Sequence, residues 1–221
     1  MNGFIDFIMG PMVWISILVF SGGIGFKVMG ILRQARANEN HMFSYLTWKH
    51  SLRSICAWLV PFFPKATRER PWFYAVSYLF HLALFAVPLF LSAHVVLVEE
   101  AFNISWPVMS DAWADGLTVF IILALGFFGV RRLTQPEVRF LTSAGDFILL
   151  FIVLLPFLTG FLAYHQVFDQ VYQWMMIVHI LSGEFMLIII PFSRLSHMIT
   201  GPLTRAYTGS EFGNVRHARD W

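Results

Sequence analysis

The chain has 221 residues, 57% of them hydrophobic and only 13% charged, with a mean hydropathy of +0.66 and a formal net charge of +2. Water-soluble domains carry roughly a quarter charged residues, so the composition excludes an ordinary soluble domain and points to a chain that faces lipid. The single cysteine, Cys56, excludes an internal disulfide, a Cys-x-x-Cys-His haem attachment and an iron–sulfur cluster held by this chain alone.

Five apolar runs lie near residues 5–30, 72–98, 113–131, 146–165 and 172–193. Each reaches or approaches the roughly 20 residues that a membrane-crossing helix needs. Helices satisfy their own backbone hydrogen bonds, which lipid cannot do for them. The expected fold is therefore all-α: one polytopic membrane domain over residues 1–221 with five transmembrane helices. The first run begins MNGFIDFIMG, with Asp6 and no basic residue ahead of its apolar core. That is the wrong charge for a cleavable signal, so it reads as a retained span.

Between the first and second runs, MFSYLTWKHSLRSICAWLVPFF (residues 42–63) mixes aromatic and aliphatic residues with Lys49 and Arg53. This pattern predicts an interfacial helix lying on the inner surface, its basic face toward anionic headgroups. It serves either as a lipid anchor or as a docking surface for a cytoplasmic partner subunit. Pro61, Pro64 and Pro71 then stop the helix and turn the chain into the second span. The polar tail TRAYTGSEFGNVRHARDW reads as a partner contact or a frayed end.

The basic residues fix an expected orientation. Eight lie at the end of span 1 or in the loop after it (Lys27, Arg33, Arg36, Lys49, Arg53, Lys65, Arg68 and Arg70). Arg131, Arg132 and Arg139 lie between spans 3 and 4, and Arg194, Arg205, Arg216 and Arg219 follow span 5. The loops after spans 2 and 4 carry only Glu99, Glu100, Asp111, Asp115 and Asp169. Lys and Arg in short loops stay cytoplasmic, so the N-terminus is expected outside and the C-terminus inside. The positive net charge is a matter of membrane topology and gives no reason to expect nucleic acid.

Eight histidines occur, and topology sorts them. His41, His50 and His217 fall in inside segments, and His165 lies at the outer end of span 4. His81 and His94 belong to span 2, and His179 and His197 to span 5. Intramembrane polar residues are expensive and usually face a bundle interior. On a continuous helix at about 100° per residue, the eighteen-residue spacing of His179 and His197 puts both on one face, roughly 27 Å apart. His81 and His94, thirteen apart, are separated by about 20 Å. Because spans 2 and 5 run in opposite directions, His81 meets the level of His197 near the inner surface, and His94 meets that of His179 near the outer. Two stacked imidazole pairs suit two bis-histidine haems b. The thirteen-residue spacing turns His94 about 140° away from His81, and Pro88 between them predicts a kink.

Other readings compete with two haems. Zinc asks for three or four ligands at one level, and a proton relay asks for several ionisable groups at depth, where only Glu184 stands. A haem-free membrane anchor or small transporter subunit with structural histidines is the remaining alternative.

Three stretches resemble the respiratory nitrate reductase gamma subunit family. PFSRLSH at 191–197, preceded by His179, is similar to that family's last span. RRLTQPEVRFLTSAGDFILL at 131–150 is similar to its span 3 to span 4 connection, and YLFH at 78–81 to the start of its second span. The likeness runs in register over residues 72–205. It implies a dihaem cytochrome b of the bacterial inner membrane, the electron-transfer subunit of a quinone-linked oxidoreductase complex, with menaquinone the expected quinone. His81, His179 and His197 fall on family ligands. The family's fourth ligand corresponds to Leu91, and His94 is the nearest histidine to it. The loop after span 1 is also longer than in that family. Both departures resemble the membrane cytochromes b of redox complexes of sulfate-reducing bacteria. Those complexes pair such a subunit with a cytoplasmic heterodisulfide-reductase-like iron–sulfur protein and a periplasmic multihaem cytochrome c. On this reading His81 and His197 hold an inner haem, and His94 and His179 an outer one. Glu184, Glu99, Glu100 and His165 are candidates for quinone or proton contacts, Glu184 alternatively being the partner of a neighbouring polar group or of the haem periphery. Arg131 and Arg194 either meet inner haem propionates or simply mark the inside.

Overall fold

A computed structural model describes residues 2–221. Twelve α-helices occur among them, and no strand. In chain order these are α1 (Asn2–Met9), α2 (Pro11–Asn38), α3 (Met42–Tyr45), α4 (Trp48–Leu59), α5 (Lys65–Arg68) and α6 (Pro71–Phe90). There follow α7 (Ser92–Phe102), α8 (Asp111–Thr134), α9 (Pro136–Phe140), α10 (Ala144–Tyr164), α11 (Tyr172–Ile189) and α12 (His197–Ser210). Five stretches are long and apolar enough to cross a membrane: Gly3–Asn38, Pro71–Phe90, Asp111–Thr134, Ala144–Tyr164 and Tyr172–Ile189. The chain is an all-α, multi-pass membrane protein.

Proline sets several boundaries. Pro11 and Pro136 each open a helix, where a missing N–H costs nothing. The second and fifth spans differ from the sequence expectation. The run expected over 72–98 divides at Leu91, whose backbone is extended (φ −68°, ψ 130°), into α6 and α7. The fifth span ends at Ile189, and two turns (Phe192 N–H to Ile189 O, Ser193 N–H to Ile190 O) with a 3-10 helix over Arg194–Ser196 intervene before α12. Pro191 supplies no N–H and disfavours helical geometry at Ile190, which stops α11. His179 and His197 therefore do not share one continuous helix, and the single-helix arithmetic applied to them does not hold. The same is true of His81 and His94.

The chain falls into two compact units, Met1–Met9 with Val76–Met186 and Gly10–Ala75 with Leu187–Trp221. In the first, α8 and α10 form an antiparallel hairpin tied at both ends. Arg132 lies 3.8 Å from the buried Asp146 at one end, and His165 Nε2 lies 3.0 Å from Asp115 at the other. Asp146 also accepts from the Ser143 N–H and hydroxyl at 2.8 and 2.9 Å, forming the capping box that starts α10. Ile121, Ala124 and Leu125 of α8, Ile152, Val153 and Phe157 of α10, and Ile177 of α11 form its apolar core.

The second unit has a different interior, made of small and polar groups. The α4 face bearing Ser51, Ser54 and Ala57 is buried against α12 and the segment after it. Ser51 Oγ donates to Ala206 O at 3.1 Å and lies 3.0 Å from Ser210 Oγ. Gly209 leaves no room for a Cβ beside Ser54 and the His50 carbonyl. Ser54 Oγ donates to the buried Asp220 carboxylate at 2.5 Å, with Arg205 at 3.7 Å, and Arg53 donates to Ala218 O at 3.2 Å. The C-terminal tail is thus folded onto α4 by specific hydrogen bonds and is not frayed.

Candidate functional site

The break at Leu91 frees backbone carbonyls that a continuous helix would have satisfied. Three donors take them up. His94 Nδ1 donates to Pro88 O at 3.0 Å, Trp106 Nε1 to Leu89 O at 2.7 Å, and the Met109 N–H to Phe90 O at 2.9 Å. The break therefore turns and holds the His94 ring, which the wheel of a straight helix would have pointed elsewhere.

His179 of α11 is held from α10. Its Nδ1 donates to Pro156 O at 2.9 Å, with Thr159 Oγ1 3.5 Å away. Gly160 makes the space: a Cβ there would lie 2.7 Å from His179 Cε1 and 3.0 Å from Nδ1. The result is a matched pair. The His94 and His179 rings are parallel to within 5°, with centroids 6.1 Å apart, and both are half-buried.

The other two candidates are anchored in the same way, each within its own unit. His81 Nδ1 donates to Ser77 O at 2.7 Å, and His197 Nδ1 to Arg194 O at 2.9 Å. Both rings are exposed. All four candidate histidines thus present Nδ1 to a backbone carbonyl. His41, His50 and His165 instead meet side chains: Glu39 at 3.5 Å, Thr47 Oγ1 at 2.8 Å and Asp115 at 3.0 Å. A carbonyl on Nδ1 fixes the tautomer and leaves Nε2 as the metal-binding nitrogen, the usual outer-shell arrangement of ligating histidines.

The pair can be tested against a haem iron. Two metal–nitrogen bonds of about 2 Å, with roughly 1 Å from each nitrogen to its ring centre, separate two axial imidazoles by about 6 Å. The 6.1 Å of His94 and His179 fits that spacing. Among the described residues no group of three or more His, Cys, Asp or Glu is placed to hold a metal. Two imidazoles are a sufficient protein ligand set only where the rest of the coordination comes with the cofactor, as it does for haem.

Around this pair the remaining candidates separate. Glu184, buried in α11, has no hydrogen-bond partner for either carboxyl oxygen, so the polar partner weighed for it from sequence is not found among the described residues. Glu99 and Glu100 are exposed at the end of α7. His165 is engaged by Asp115 and packs on Phe161 with centroids 4.5 Å apart.

Sequence reasoning missed two residues. Gly160 looked like any glycine in an apolar span. Lys27, counted only as a basic residue of the inside end, donates to Pro191 O at 3.2 Å and to Ser196 Oγ at 2.6 Å, and so braces the turn that leads into His197. A lysine within an apolar run is the signal that could have found it.

Fold and site together define a multi-pass helical membrane protein with carbonyl-anchored histidines, two of them paired. The chain is 37% identical over 216 residues to a protein of Nitratidesulfovibrio vulgaris (strain Hildenborough) named only "Protein", an alignment covering 95% of this chain and 94% of that one. The chain belongs to the same family as that protein. No family model matches the chain, and no solved structure matches it.

Proposed function

We propose that the chain is a dihaem cytochrome b, the electron-transfer subunit of a quinone-linked respiratory complex of the bacterial inner membrane. It relays electrons between a membrane quinone, or a periplasmic multihaem cytochrome c, and a cytoplasmic iron–sulfur subunit. The observation that carries the reading is the His94–His179 pair, parallel to 5° at 6.1 Å with both Nδ1 atoms on backbone carbonyls. Motif likeness to the nitrate reductase gamma subunit family supports it, as does the carbonyl anchoring of His81 and His197.

His94 and His179 would hold the outer haem, and His81 and His197 the inner one. Haem b, when bound, would supply one-electron exchange inside lipid, at a potential tuned by the histidines that hold it and by their hydrogen bonds. The chain's part is positional. Pro88 O and Pro156 O hold two rings at a fixed tautomer, and Gly160 keeps the space of one of them clear. Glu184, five residues beyond His179, offers a carboxyl that can take a proton when quinol is oxidised. The basic loops put the N-terminus outside and the C-terminus inside.

An absorption spectrum of the purified full-length chain, expressed with ample haem, tests the reading. Low-spin b-type bands that sharpen on reduction, at two haems per chain by pyridine haemochrome, are expected. A colourless preparation overturns it. His94→Ala and His179→Ala should remove the same haem, and His197→Ala the other. If His94→Ala and His197→Ala remove the same one, the pairing is wrong.

A further inference from the structure

Helix α4 is amphipathic in the reverse of the usual sense. Its polar and small face, Ser51, Ser54 and Ala57, is buried by α12 and the C-terminal segment. Trp48, Leu52, Cys56 and Leu59, spaced four, four and three residues apart, make an outward stripe on one helix face. Trp48 is 78% exposed and Leu59 69%. An ordinary surface helix turns such a stripe inward. Here the inward side is already filled by hydrogen bonds to Ala206, Ser210 and Asp220, so rotating the helix would break them.

Two features identify what covers the stripe. The first is tethering. Only residues 39–47 separate α4 from α2, the C-terminal part of a membrane-length helix. Nine residues reach at most about 30 Å, and Pro71 opens the next span soon afterwards. The second is charge. From Asn40 to Arg68 the sequence has Lys49, Arg53, Lys65 and Arg68 and no acidic residue. Lys49 flanks the stripe at about 70° from its centre on the helical wheel, while Arg53 is turned to the C-terminal segment through Ala218 O, and Trp72, 84% exposed at the start of the next span, adds an interfacial anchor. An apolar stripe with a basic flank, held close to a bilayer, suits anionic phospholipid.

We infer that α4 is a monotopic helix lying in the anionic leaflet on the side of the basic loops, its Trp48–Leu59 stripe in lipid and its serine face clasping the C-terminal segment.

Cys56, the one thiol and a member of the stripe, makes the test direct. The full-length chain would be labelled there with a nitroxide and placed in vesicles of phosphatidylethanolamine and phosphatidylglycerol. Collision rates with oxygen and with a water-soluble nickel chelate would then be compared. Oxygen should be favoured several-fold over nickel, relative to a reference label on Ser44→Cys in a Cys56→Ser background. Replacing phosphatidylglycerol by phosphatidylcholine should lower that preference, and so should Lys49→Gln. Equal accessibility of the two labels to nickel overturns the proposal and leaves the stripe for a protein subunit. A preference indifferent to lipid charge overturns the assignment to an anionic leaflet.

Discussion

Gly160 shows how the His94–His179 pair depends on residues that carry no chemistry. With a methyl group 2.7 Å from Cε1 and 3.0 Å from Nδ1, the His179 ring must move, and the hydrogen bond from Nδ1 to Pro156 O is strained with it. Overpacking of this kind typically costs about 1–3 kcal/mol. On the proposed dihaem reading, Gly160→Ala should therefore abolish or strongly shift the outer haem's reduction step while leaving the inner one, as seen by optical redox titration in membranes. Lys27 is the corresponding residue for His197. Lys27→Met removes donors from Pro191 O and Ser196 Oγ, a loss of about 1–3 kcal/mol where those groups are left unpaired. The inner step should shift and the outer should not. Equal shifts in both would mean that Lys27 serves only general stability.

Among the elements, the interruptions matter more than the helices. Each histidine-bearing span is broken between its two histidines, at Leu91 and after Ile189, and each break supplies a carbonyl to the histidine that follows it. A break in lipid is tolerated only where the freed backbone groups find partners, and Trp106 and the Met109 N–H complete that set at the first break. Trp106→Phe leaves Leu89 O without its indole donor and should cost about 1–2 kcal/mol. It should also weaken retention of the outer haem, measured as haem content after detergent washing. In the second unit, Tyr45 Oη lies 3.2 Å from Tyr207 Oη, and this hydrogen bond, with burial, pushes the Tyr45 phenol up to about 12. A phenol whose folded-state value is raised stabilises the fold fully below its unfolded value and loses that contribution as pH climbs through the folded one. Wild-type chain should therefore lose thermal stability between about pH 10 and 12. Tyr45→Phe should flatten that dependence, followed by thermal unfolding with ultraviolet phenolate absorbance.

At the scale of the whole molecule, charge placement and hydropathy act together. Every Lys and Arg lies at the end of span 1, in the loops after spans 1 and 3, or after span 5, and the proposed orientation turns those segments to the cytoplasm. A green fluorescent protein fused to the C-terminus should fluoresce and an alkaline phosphatase fused there should be inactive. The reverse pattern would invert the proposed haem order as well, since His94 and His179 are called outer on this orientation alone.

The sequence by itself determined that the chain is helical and multi-pass. Twenty apolar residues in lipid have one cheap way to pair their backbone groups, so length and composition are sufficient. It also picked out the four candidate histidines, because imidazoles within or next to apolar runs stand out as costly. Tertiary structure alone decided how His94 meets His179. That meeting depends on an extended residue at Leu91, on carbonyls released at a break and on a missing Cβ at Gly160, none of which leaves a periodic trace in the sequence. Helical arithmetic assumes a continuous ladder of hydrogen bonds, and in this chain the ladder is interrupted between His81 and His94 and again between His179 and His197.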